Sequence, residues 1–130
     1  MTTSERVESA IADRRTVVND AIGEQLPIKK PERLYAASRY LLDAGGKRLR
    51  PTILLLTAEA ISDIDSMSAE YRAFPSPRGE EVDILSAAVS VETIQSFTLI
   101  HDDIMDDDDL RRGVPAVHKE YDVETAILAG

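Results

Sequence analysis

Residues 80–107 read EEVDILSAAVSVETIQSFTLIHDDIMDD. Apolar side chains recur through this stretch at helical spacing, at Val82, Leu85, Ala88, Val89, Ile94, Phe97 and Ile100. They fall on several sides of a helix, not on one stripe, which predicts a helix from Glu80 to about Asp107 at the centre of the fold.

Working outward, Thr3 and Ser4 offer caps for a first helix carrying Val7, Ala10, Ile11, Val17, Val18, Ala21 and Ile22, bounded by Gly23 and Pro27. Pro31 suits the start of a second helix with Leu34, Tyr35, Ser38, Leu41 and Leu42 inward, ended by Gly45-Gly46. A third, strongly apolar helix follows Pro51 through Ile53, Leu54, Leu55, Leu56, Ala58 and Ala60. Residues 62–79 read as a loop and 108–117 as a connection turned by Gly113 and Pro115. A last helix starts near His118 and is still running at Ile127-Leu128-Ala129-Gly130. Helix follows helix without strand-like alternation, so the class is all-α.

The 130 residues are 43% hydrophobic and 30% charged, the balance of a soluble globular chain with a real core. Two Phe and no Trp leave that core to aliphatic side chains. A net charge of −9 opposes binding to nucleic acid and to anionic lipid, and also suits a salty cytoplasm. No cysteine is present, which excludes disulfides and thiolate metal sites. The polar start, MTTSERVESA, is unlike a signal peptide, and the uninterrupted apolar runs are too short for a membrane span. A cytoplasmic location is expected.

The central helix ends in an acidic run, Asp102-Asp103-Ile104-Met105-Asp106-Asp107-Asp108-Asp109, directly after apolar Phe97-Thr98-Leu99-Ile100. Asp102 and Asp106 are four apart and share a helix face one turn apart. A solvated helix end is one reading of such a run. Against it, carboxylates near a helix C-terminus oppose the macrodipole, and close like charges repel by roughly 1 kcal/mol per pair even in water. A bound cation removes both objections. Carboxylates without His or Cys suit Mg²⁺, which bridges protein oxygens to substrate phosphates. Arg111 and Arg112 follow at once, and the guanidinium fork binds phosphate in two-pronged fashion. A calcium EF-hand fails, because Ile104 falls on a ligand position and the central Gly is missing.

A second basic segment, Gly45-Gly46-Lys47-Arg48-Leu49-Arg50-Pro51, places three cations between a helix end and a helix start. Its Gly spacing is not that of a Walker loop. Taken alone it reads as a basic surface turn. Beside a metal–phosphate clamp it suggests a second phosphorylated substrate.

These two segments, with Leu99-Ile100-His101 leading into the first and Asp109-Leu110-Arg111-Arg112-Gly113 closing it, resemble the opening signatures of the trans-isoprenyl diphosphate synthases. The resemblance runs from about the second helix to Gly130, somewhat under half of a full-length member. It implies the N-terminal part of the all-α isoprenoid synthase bundle, with residues 1–130 a portion of a single domain, and usually a homodimer. It further implies that Asp102, Asp103 and Asp106 are the first aspartate-rich motif. The outer two would bind Mg²⁺ that holds an allylic diphosphate, gripped also by Arg111. Lys47, Arg50 and Arg112 match residues that bind isopentenyl diphosphate. Gln95 stands where His is frequent and can still donate a hydrogen bond. Ala116 replaces a common Thr, and Asp122 a common Gly.

The reaction so implied is condensation of isopentenyl diphosphate with dimethylallyl, geranyl or farnesyl diphosphate. Thr98 and Phe97, four and five positions before Asp102, match the chain-length positions. One bulky residue there resembles archaeal geranylgeranyl diphosphate synthases, giving a C20 product, with a C15 farnesyl diphosphate synthase or a non-catalytic fragment or subunit as alternatives. A terpene cyclase needs no isopentenyl site, so Lys47-Arg48-Leu49-Arg50 and Arg112 argue against it. The second aspartate-rich motif of the family would lie beyond residue 130, and a chain ending there is expected to be inactive alone.

Overall fold

The computed structural model describes residues 1–64 and 70–130. Its helices are α1 (Thr3–Gln25), α2 (Glu32–Asp43), α3 (Leu49–Ile61), α4 (Ile84–Met105), α5 (Val117–Glu120) and α6 (Val123–Ala129). Two small antiparallel hairpins accompany them, β1 (Phe74–Pro75) with β2 (Glu81–Val82), and β3 (Leu110–Arg111) with β4 (Val114–Pro115). The all-α class holds, with these hairpins as additions that the sequence reading did not contain.

Local chemistry explains where the expected boundaries moved. The cap of α1 is Thr2, not Thr3 or Ser4. Its Oγ1 accepts from the Glu5 amide at 3.1 Å while the Glu5 carboxylate accepts from the Thr2 amide at 2.6 Å, a capping box. Helix α3 begins at Leu49, so Pro51 lies in the first turn, where its missing N–H costs nothing. Helix α4 begins at Ile84 and not at Glu80, because Glu81 and Val82 pair with Pro75 and Phe74. Asp83 then caps the helix, accepting from the Ser86 amide at 2.9 Å and the Ser86 hydroxyl at 2.7 Å. Both bonds, the backbone one foremost, hold the Asp83 carboxyl below its ordinary pKa. The expected last helix is two, α5 and α6, split at Tyr121-Asp122. Of the loop expected over 62–79, residues 65–69 lie outside the described residues, and 71–75 form a 3-10 turn and β1.

The chain forms two compact units. The first comprises residues 1–25 and 47–92. Val18, Ala21 and Ile22 of α1, Leu55 of α3, and Ile84, Leu85, Ala88 and Val89 of α4 are buried, as are the stacked Tyr71 and Phe74 rings. Val7 and Ile53, apolar positions of the first and third expected helices, are exposed. In their place α1 buries Arg14, whose guanidinium forms a two-pronged pair with buried Glu59 of α3, Nε to Oε2 at 2.8 Å and Nη2 to Oε1 at 2.7 Å.

The second unit comprises residues 26–46 and 93–130. Its core is Ala37 and Leu41 of α2, Ile100 of α4, Val117 of α5, and Ala126 and Ala129 of α6. Leu34, Tyr40, Phe97, Leu99, Ile104 and Tyr121 pack around it, half-buried. Tyr35, expected on the inner face of α2, is exposed.

Helix α4 is long and apolar enough, by length and composition alone, to cross a membrane. Its two buried acids, Glu92 and Asp103, are each paired with an arginine, as in a helix packed within protein.

Candidate active site

The last turn of α4 places the acidic run. The Asp106 amide donates to the Asp102 carbonyl at 2.8 Å, so helical geometry reaches Asp106 and sets the two carboxylates one turn apart. Both are exposed, whereas Asp103 between them is fully buried. The helix stops there because Asp107 takes a left-handed conformation, φ 53°.

The arginines reach the site through the β3–β4 hairpin. Arg111 pairs with Val114, and the two-residue turn is Arg112-Gly113, with φ of 53° and 78°. Positive φ at both positions is the turn geometry whose twist matches a tight hairpin. It folds Arg111 back onto α4, where Nη2 donates to Asp103 Oδ1 at 2.6 Å and Nε to the same oxygen at 3.2 Å. The bond to Asp103 raises the Arg111 pKa above the ordinary guanidinium value, so the cation is permanent. Arg112 is held separately, its Nη1 donating to the Leu41 carbonyl in the last turn of α2 at 2.8 Å. A cation at that helix end is favourable.

The same α4 face that bears Asp102 exposes Ile94 and Thr98 in the turns before it and Met105 after it. Gln95 is half-buried. Phe97 turns toward the core of the second unit, while the Thr98 hydroxyl donates to the Gln95 carbonyl at 2.8 Å. Asp102, Asp103, Asp106, Arg111, Arg112, Gln95, Phe97 and Thr98 thus all belong to the second unit.

Lys47 and Arg50 belong to the first unit, at the start of α3, and both are exposed. Arg48 between them is not a third surface cation. It is buried and in the left-handed region at φ 55°, donating to Asn19 Oδ1 at 2.8 Å and to Glu92 Oε1 at 3.1 Å.

Among the described residues no group of three or more His, Cys, Asp and Glu side chains is arranged to hold a metal ion. The two exposed carboxylates, Asp102 and Asp106, are oxygen donors of the kind that could hold Mg²⁺, an ion that takes few protein ligands and completes its shell with phosphate and water.

Sequence reasoning missed Asn19 and Glu92 as partners of Arg48, and Asp122 as a cap. Asp122 starts α6, its Oδ1 accepting from the Thr125 amide at 2.6 Å, with Arg33 on its other oxygen at 2.9 Å. The departure from Gly at this position therefore has a local purpose. A capping signal was readable there in Asp122-Val123-Glu124-Thr125; nothing local marked Asn19.

Comparison with known proteins gives the family and the fold. The polyprenyl synthetase family model matches residues 31–130. The chain is 76% identical, over its whole length, to a geranylfarnesyl diphosphate synthase of Natronomonas pharaonis, of which it covers 38%. It is 52% identical over 92% of its length to a geranylgeranyl diphosphate synthase of Methanosarcina mazei, covering 32% of that protein. The solved geranylgeranyl pyrophosphate synthetase of Geoglobus acetivorans matches 92% of the chain and 34% of its own length, at 47% identity and a TM-score of 0.76. This chain, spanning about a third of those relatives, belongs to the polyprenyl synthetase family and has its helical isoprenoid synthase fold.

Proposed function

We propose that the protein containing this chain transfers a prenyl group, condensing isopentenyl diphosphate with an allylic diphosphate. The observation that carries the reading is the exposed Asp102–Asp106 pair beside an arginine, Arg111, that Asp103 locks in place. Asp102 and Asp106 would hold Mg²⁺, which supplies charge to neutralise the departing diphosphate. Arg111 grips the same diphosphate as the allylic C–O bond breaks. Lys47, Arg50 and Arg112 bind the isopentenyl diphosphate, whose double bond then attacks the allylic carbon, and loss of a proton restores an alkene. Gln95 donates a hydrogen bond to that second substrate. The face of α4 that bears Asp102, with Ile94 and Thr98 exposed on it, forms a wall that keeps water from the cation.

The product is a C20 or C25 chain. Phe97 and Thr98 favour C20, and the relative at 76% identity carries the C25 name. Residues 1–130, which span about a third of the relatives' length, are a portion of a single domain and are inactive alone. The working form is a cytoplasmic homodimer. The test is incubation of the full-length protein with labelled isopentenyl diphosphate, Mg²⁺ and each allylic diphosphate in turn. Label in C20 or C25 prenyl diphosphate is expected. No incorporation with any primer rejects the activity. Phe97→Ala should lengthen the products, and an unchanged spectrum removes Phe97 from chain-length control.

A further inference from the structure

We infer that Arg48 is a positioning residue for isopentenyl diphosphate binding, anchored by Asn19 and Glu92 so that Lys47 and Arg50 are presented outward; the inference rests on the substrate reading above. Three neighbours in sequence have opposite fates. Lys47 and Arg50 are exposed, and Arg48 is 5% exposed. Its fork reaches two elements at once: Asn19 of α1 at 2.8 Å and Glu92 of α4 at 3.1 Å. The Arg48 and Glu92 side chains are both 4% exposed, so the pair is shielded from salt and water.

The backbone shows the same constraint. Arg48 takes φ 55°, ψ 34°, a left-handed conformation that non-glycine residues rarely adopt. Such a conformation persists where the surroundings over-determine it, and the ion pair beneath does so here. The Arg48 carbonyl accepts from the Thr52 amide at 3.1 Å, closing the first turn of α3. The anchored residue is therefore also the N-cap of the helix that carries Arg50.

Lysine and arginine side chains lose much rotamer freedom on binding. Fixing their backbone beforehand removes the backbone share of the ordering cost, which is preorganisation in the ordinary sense. The charge of Arg48 itself never reaches the substrate, since Glu92 neutralises it. Its effect is confined to where its neighbours stand.

The test uses the full-length protein and varies the two diphosphates separately. In Glu92→Ala the KM for isopentenyl diphosphate should rise about tenfold, and in Asn19→Ala about threefold, with kcat and the allylic KM within about twofold. Glu92→Gln keeps an acceptor for Arg48 and should recover most of the loss. Equal rises in both KM values, or a lower melting temperature with KM unchanged, overturn the proposal. If Glu92→Ala does not fold, Asn19→Ala and Glu92→Gln decide the same question. Amide hydrogen exchange over residues 47–50 gives a readout independent of turnover. It should quicken in Asn19→Ala, and unchanged exchange overturns the anchoring. If the wild-type protein incorporates no isopentenyl diphosphate, the substrate reading falls by itself, and the exchange result still judges the anchor.

Discussion

Asp103 holds Arg111: a fully buried carboxylate binds the guanidinium of a residue eight positions later, with Nη2 to Oδ1 at 2.6 Å. The middle aspartate of the acidic run therefore points away from the solvent that its neighbours face. It fixes an arginine, while Asp102 and Asp106 stay exposed. Asp103→Asn should weaken the grip on the allylic diphosphate, raising its KM by about tenfold or more, and destabilise the fold by about 1–3 kcal/mol. Asp102→Asn should act on kcat and leave unfolding by urea almost unchanged. If Asp103→Asn matches wild type in allylic KM, Arg111 does not need its anchor.

The exposed pair predicts the metal response. Chelation by EDTA should abolish turnover of the full-length enzyme, and added Mg²⁺ should restore it. Asp102→Ala and Asp106→Ala should each lower kcat by more than about a hundredfold, as loss of transition-state charge stabilisation does. Full activity in EDTA would exclude the metal role assigned to this pair.

The hairpin that carries both arginines depends on Gly113. A Cβ there meets no neighbour within 4 Å, so space is not the constraint. The φ of 78° is, and Gly113→Ala should cost about 1 kcal/mol in unfolding free energy. A larger share of the damage should appear in substrate affinity, because Arg111 precedes the turn and Arg112 lies in it. A stabilised Gly113→Ala protein would contradict the turn geometry.

The Arg14–Glu59 pair makes a different kind of prediction. Removing one partner strands a buried charge, so Glu59→Ala should cost about 3–5 kcal/mol. Replacing both, as Arg14→Met with Glu59→Leu, should recover most of that loss. A double mutant as unstable as the single would mean that the ion pair itself stabilises the first unit.

Asp122 sets the acid limit of α6. The Thr125 amide is the largest cause of its depressed pKa, followed by the Thr125 hydroxyl and Arg33, and together they hold it at about 2 against an ordinary 3.8. A depressed carboxyl pKa stabilises the folded state fully above the unfolded value. That contribution is lost as pH falls from about 4 through about 2. An NMR titration should place the Asp122 carboxyl midpoint near 2, and Arg33→Ala should move it upward. A wild-type midpoint near 3.8 would rule out the cap as drawn.

Helix order, the all-α class and the spacing of Asp102 and Asp106 on one helix face were legible in the sequence because they rest on local chemistry. Apolar spacing marks a helix whatever surrounds it. Asp102 and Asp106 share a face through helix geometry alone, and Arg111 lies close enough in the chain to fold back on Asp103 between them. Proline, glycine and capping residues marked the helix ends to within a few positions, and erred where a short hairpin, β1–β2, competed for Glu81 and Val82.

Only the tertiary structure decided which charges are buried. Arg14 meets Glu59 across 45 residues and Arg48 meets Glu92 across 44, and no local pattern records such a meeting. In the sequence Lys47, Arg48 and Arg50 are neighbouring cations and Asp102, Asp103 and Asp106 neighbouring acids, with no mark of which member is buried. The fold divides each trio by turning one member inward to a partner of opposite charge. Burial of a charge is tolerable only with such a partner, and the partner is chosen by packing rather than by position in the chain.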